Sequence, residues 1–156
     1  GVYCVGTVQE ELGLRGSETS AFGIDPNVGI AIDVSFTTDT PDIPKKILGD
    51  IKLGSGPLIQ RSADNNSVLI AKMKKIAAAK KIPFQEHCGH RASGGTDAAK
   101  IQMTRSGVAT AILSVPNRYM HTQVEICDMR DVENCVKLLT ETIAAMKKTD
   151  SFIPQA

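Results

Sequence analysis

The sequence predicts an α/β fold, with helices covering both faces of a sheet. Two observations predict it. Short runs rich in β-branched residues alternate along the chain with longer segments of helical periodicity. Those short runs are apolar nearly throughout, the pattern of strands buried on both sides. With 156 residues, 42% hydrophobic and 22% charged, the chain has the length and composition of a single globular domain with a real core.

The elements follow in order. Residues 2–8, VYCVGTV, read as a buried strand, so Glu10 and Glu11 are expected where that strand ends. Ser17 to Phe22 reads as a short helix stopped near Gly23 and Pro26. Val28 to Phe36, VGIAIDVSF, is a second buried strand. The stretch TTDTPDIPKKILGD is polar, and its two prolines argue against regular structure. Leu58 to Arg61 reads as a short strand after the turn GSGP. Ser67 to Lys81 is a helix with Leu69, Met73, Ile76 and Ala77 on one face, ended by Pro83.

Phe84 to Cys88 is another short strand. In GHRASGGTDAAK, a glycine-rich loop leads to Thr96 or Asp97 as the cap of a helix reaching about Thr104. Gly107 to Val115 is a buried strand, and Gln123 to Cys127 a shorter one. The final helix starts near Asp128 and Asp131, where negative charge suits the helix dipole. Its apolar face is Val132, Cys135, Val136, Leu139, Ile143 and Met146, and Lys147 and Lys148 close it.

Bulk properties exclude several classes. A formal net charge of +1 leaves no basic footprint for nucleic acid. No apolar run approaches the ~18 residues needed to span a membrane, and the first residues are not a signal peptide. The cysteines Cys4, Cys88, Cys127 and Cys135 are widely spaced and form no CxxC. They read as reduced core residues of a cytoplasmic protein. The chain opens inside an apparent central strand, so residues are expected to precede it.

Sites in open α/β sheets gather beyond the carboxyl ends of strands. Glu10 and Glu11, Asp33 within AIDV, and His121 after SVPNRYM are the polar residues placed there. Two adjacent carboxylates repel, and a charge among Ile and Val is costly to desolvate. A cation offsets both. Carboxylates with a histidine suit a divalent metal that works on water, such as zinc, manganese or cobalt. The plainer reading has the acids cap turns or pair with Arg15, Arg91 and Arg118. His87, Cys88 and His90 in EHCGH lack zinc-finger spacing and a second ligand pair. GSGP and SGGTD lack the lysine of a P-loop and read as turns, and lysines 74, 75, 80 and 81 as a solvated helix face.

The stretches GTVQEELGLRGS, AIDVSFTTDTPD, GSGP, SGGTDAA and NRYMHTQVEICDMRDVENCVKLL together resemble the M42 family of metallo-aminopeptidases. That family includes glutamyl aminopeptidases and proteins long labelled cellulase M or endoglucanase. The resemblance runs in order over essentially the whole chain. It implies a three-layer α/β/α sandwich of the zinc-peptidase type with a two-metal centre. It also implies that residues 1–156 are the carboxy-terminal portion of the catalytic domain. The amino-terminal part would carry a further histidine ligand, a bridging aspartate and a lid domain, so the fold here is incomplete.

By this resemblance Glu10 is the general base, Glu11 and His121 bind one metal, and Asp33 binds the other. Adjacent residues on a strand point opposite ways, which would let one glutamate hold metal while the other works on water. Two divalent ions per complete site, zinc, cobalt or manganese, are the expected cofactors, and peptides the substrates. Nucleic acid and membrane are not expected partners. Self-association, or association with a missing amino-terminal half, is. A non-catalytic fragment or split subunit is the first alternative. A glycosidase is the second, but it needs carboxylates about 5 to 9.5 Å apart across a sugar. Adjacent glutamates fit that poorly, and a chain without tryptophan has little to stack on sugar rings.

Overall fold

The computed structural model of the chain describes residues 1–88 and 95–154. Its elements run α1 (Arg15–Ile24), β1 (Val28–Phe36), α2 (Lys45–Leu48), β2 (Leu58–Arg61), α3 (Ser67–Lys80), β3 (Gln85–Cys88), α4 (Ala98–Gln102), β4 (Ala109–Arg118), β5 (Ile126–Cys127) and α5 (Met129–Ala144). The strands make one mixed sheet in the order β1-β4-β2-β3, with β5 paired to the end of β4. β1 and β4 run parallel, from Val28 beside Ala109 to Phe36 beside Asn117. β2 runs antiparallel to β4 and parallel to β3. The β2–β4 ladder is short, and Asn65 extends it: its Oδ1 accepts the Ile112 N–H at 2.7 Å.

Helices cover both faces, as the apolar strands imply. On one face Ala111 and Leu113 of β4 and Ile59 of β2 pack with Leu69, Met73 and Ala77 of α3 and Cys135 and Leu138 of α5. On the other face Ala31 and Ile112 pack against Ala98 of α4, and α1 lies against α4. Gly29 lets α4 approach, since a Cβ there would stand 2.5 Å from Ile101 Cγ2. Asn66 starts α3, accepting the Val68 and Leu69 N–H groups at 3.1 and 3.0 Å.

Several sequence expectations need correction. Residues 2–8 are not a strand, and their apolar side chains are open to solvent, with Val2 73% and Tyr3 69% exposed. A strand is held by its neighbours, and among the described residues nothing pairs with this run. Cys4 and Cys127 are accordingly exposed, whereas Cys135 is buried. Burial pushes the Cys135 thiol up to about 11. The proline-containing loop does hold a short helix, α2, which begins directly after Pro44, where a missing N–H costs nothing.

α5 is rotated from its expected face. Asp131, Cys135, Leu138 and Thr142 are buried, while Val136 is 58% exposed. Asp128 caps the helix through the Arg130 N–H. Asp131 does more than complement the dipole: its two oxygens accept the Gly54 and Gly56 N–H groups, both at 2.7 Å. GSGP is therefore a turn clamped to α5. Gly56, at φ +98°, lies against Pro83, and a Cβ there would meet the Pro83 carbonyl oxygen at 2.3 Å. At α4, Thr96 Oγ1 accepts the Ala98 N–H, whereas Asp97 makes no cap bond. Lys74 and Lys80 are ion-paired with Glu86 and Glu141. His90, of the EHCGH cluster, and Arg91 lie outside the described residues.

Candidate active site

The site is built at the carboxyl ends of the parallel pair β1 and β4. Three segments deliver it. The first is the turn after residue 8. The Gly13 and Leu14 N–H groups donate to the Glu10 carbonyl at 3.1 and 2.8 Å, and the Gly16 N–H donates to the Val8 carbonyl at 2.9 Å. Gly16 is required there, because a Cβ would stand 2.4 Å from Val8 N. Glu10 and Glu11 thus sit on a tight turn and not on a strand. The turn separates their roles: Glu10 is half-buried and Glu11 exposed.

The second segment is β1. Asp33 shares a sheet face with Ala31, the side on which α4 packs. It is half-buried rather than enclosed, on a strand at the edge of the sheet whose Ile32 and Val34 are themselves exposed on the opposite face. Its Oδ1 accepts the Val34 N–H at 2.7 Å.

The third segment is the loop between β4 and β5. It carries His121, whose Nε2 lies 3.1 Å from Glu11 Oε1, across 110 positions of sequence. The edge of the imidazole faces the Phe36 ring at the end of β1, with centroids 6.4 Å apart. The backbone is tightly wound: Tyr119 has φ +60° and His121 φ +66°, both in the left-handed region.

The electrostatics show how closely these groups sit. Burial raises the Glu10 carboxyl above its ordinary pKa, and the charges of Asp33, Glu11 and Asp97 raise it further. Burial also raises Asp33, with Asp97 and Glu11 adding to it against the Val34 N–H. His121 draws both downward. The arginine explanation of the acids fails for Arg118. Its guanidinium is bidentate on Asp39, at 2.9 and 2.6 Å, and holds that carboxyl well below the usual range. Among the described residues no lysine or arginine pairs with Glu10, Glu11 or Asp33.

Two residues of this region carry no site role in the sequence reading. Asp97 accepts from Thr7 Oγ1 at 2.6 Å through Oδ2, and its other oxygen is buried with no partner among the described residues. It belongs to the acidic cluster and not to the helix cap. Glu125 accepts from Asn117 Nδ2 and from the His121 N–H, both at 2.8 Å. The only sequence signal for it is an acid four residues after the histidine, too common a spacing to stand out.

The donor set fits part of a divalent-metal centre. With bonds of about 2.1 Å, two ligand atoms on one tetrahedral ion stand roughly 3–3.5 Å apart. Glu11 Oε1 and His121 Nε2 have that spacing. Asp33 is coupled to them but apart. Among the described residues no three of His, Cys, Asp and Glu form a closed metal-binding group.

A mixed α/β sheet with carboxylates and a histidine beyond its strand ends is the layout of an α/β enzyme. The chain belongs to the M42 glutamyl aminopeptidase family, whose profile matches residues 1–138. It is 44% identical to the lysyl aminopeptidase of Pyrococcus furiosus, over 98% of this chain and 43% of that protein. It is 30% identical to the glutamyl aminopeptidase of Lactococcus lactis, over 89% of this chain and 38% of that one. In structure it matches the TET aminopeptidase of a marine-sediment Thaumarchaeota archaeon with a TM-score of 0.84 and 34% identity, over 92% of this chain and 40% of that one. The chain therefore spans about two-fifths of the length of these relatives.

Proposed function

We propose that this chain is the carboxy-terminal portion of a metal-dependent aminopeptidase catalytic domain and removes amino-terminal residues from peptides as part of a complete site. The observation that carries the reading is the Glu11–His121 contact beside Glu10 and Asp33, with no arginine or lysine among the described residues to explain the acids. Glu11 and His121 would hold one divalent ion and Asp33 would contribute to a second, zinc, cobalt or manganese. Such ions lower the pKa of water and polarise the scissile carbonyl. Glu10, half-buried and beside that position, accepts the proton of the attacking water and returns it to the leaving amine.

The test is metal content and peptide hydrolysis on one sample, with and without added zinc or cobalt. Hydrolysis is expected to vanish on chelation and to fall by about 10²–10⁴ in kcat for Glu10→Gln. Chelator-resistant hydrolysis that survives this substitution would sink the reading. Little metal and no turnover by the isolated chain would leave the split-subunit reading. The exposed run at residues 2–8 favours that reading, because it is apolar surface awaiting a partner. One structural neighbour is described as an endoglucanase from Thermotoga maritima, at 26% identity. The Glu11–His121 pairing on a tight turn does not suit two carboxylates flanking a sugar. A cytoplasmic location goes with the reduced cysteines of this reading.

A further inference from the structure

We infer that Glu125 is a positioning residue that sets the direction of the His121 imidazole. This inference rests on the proposed metal-binding role of His121 for its functional consequence, and on hydrogen bonding alone for its structural one.

The loop from Tyr119 to Glu125 joins β4 to β5 and is closed by the pairing of Asn117 with Cys127 and Arg118 with Ile126. Within it Tyr119 and His121 both adopt left-handed backbone, a conformation unfavourable for a non-glycine residue. A loop this strained needs fixed partners to hold one geometry. Turn bonds supply some: the Thr122 N–H and Oγ1 both donate to the Tyr119 carbonyl, at 3.1 and 2.6 Å. None of these touches His121.

Among the described residues, the hydrogen bond that grips the His121 backbone comes from Glu125. Its Oε1 accepts the His121 N–H, and its Oε2 accepts Asn117 Nδ2, each at 2.8 Å. Asn117 is buried at the end of β4, 4% exposed, and lies beside Phe36 in the sheet register. Phe36 in turn faces the imidazole edge. Glu125 thus ties the histidine's backbone to the rigid sheet, while its own backbone leads directly into β5. A carboxylate is the group for this task, since it offers two acceptor oxygens to two donors.

The experiment compares the chain with Glu125→Ala, Glu125→Gln and His121→Ala. Amide hydrogen exchange is read residue by residue, and cobalt(II) binding is read by its visible ligand-field spectrum. Glu125→Ala is expected to speed exchange of the His121 amide at least tenfold while residues 111–114 of β4 keep their protection. It should also weaken cobalt binding about 10–100-fold and alter the spectrum, the usual scale for losing a group behind a ligand. Glu125→Gln keeps one acceptor oxygen and should recover part of both. Unchanged His121 exchange in Glu125→Ala overturns the inference, as does cobalt binding identical to the unsubstituted chain's. If the unsubstituted chain and His121→Ala bind cobalt equally poorly, the metal reading of His121 fails. The exchange result then decides the role of Glu125 by itself.

Discussion

Asp33 shows what the site costs the fold. Its carboxyl is raised by burial first and then by Asp97 and Glu11, so the folded state holds the proton more tightly than the unfolded chain does. A group of that sign lowers stability as pH rises from the unfolded value through the raised one. Asp33→Asn removes the charge and keeps an oxygen for the Val34 N–H. Without divalent cations its Tm at pH 7 is expected to rise by roughly 2–4 °C, the shift that about 1 kcal/mol produces at this size. Calorimetry in chelator checks this, and a lower Tm would refute it. Such a gain, together with weaker cation binding, is the mark of a residue kept for function at the expense of stability. The sequence marked Asp33 because a charge in an apolar strand is conspicuous. It did not mark Asp97 or Glu125, since an acid after a glycine loop or in a polar hairpin is ordinary there.

The helices and central strands were legible because their signals are local. α3 has its periodic face and Pro83 beyond its end, and β1 and β4 are continuous apolar runs. The rotation of α5 was not legible, because its face is set by Asp131, a buried charge that the sequence reading places only as a complement to the helix dipole. Asp131 joins two distant elements, α5 and the turn at Gly54 and Gly56, through two short bonds. Asp131→Ala leaves both N–H groups without that acceptor, and hydrogen bonds to a charged group are worth about 1.5–3 kcal/mol each. A loss of roughly 3 kcal/mol is expected, readable by urea denaturation. A change below about 1 kcal/mol would mean that water replaces the clamp.

At the scale of the whole molecule, the sheet ends in β1, whose outer edge is unpaired among the described residues. Its side chains toward the α3 and α5 face become open along the strand, with Ile32 56% and Phe36 51% exposed. Together with residues 2–8 this is apolar surface of the kind that associates. A related peptidase from Pyrococcus horikoshii can assemble into a tetrahedron or a large octahedral shell. The isolated chain is expected to exceed its 16.7 kDa monomer mass by light scattering at micromolar concentration. The double change Val5→Lys and Ile32→Lys should return it to monomer. A monomeric unsubstituted chain would contradict this. By itself the sequence determined the α/β class, the two-sided covering of the sheet, most element positions and four candidate site residues, because periodicity, caps and misplaced charges are written locally. Only the tertiary structure decided that residues 2–8 find no strand partner among the described residues and that Glu10 and Glu11 share a turn. It alone brought His121 to Glu11 and placed Glu125 behind the histidine. Each of these depends on partners distant in sequence or on a ladder that a strand-like run does or does not find.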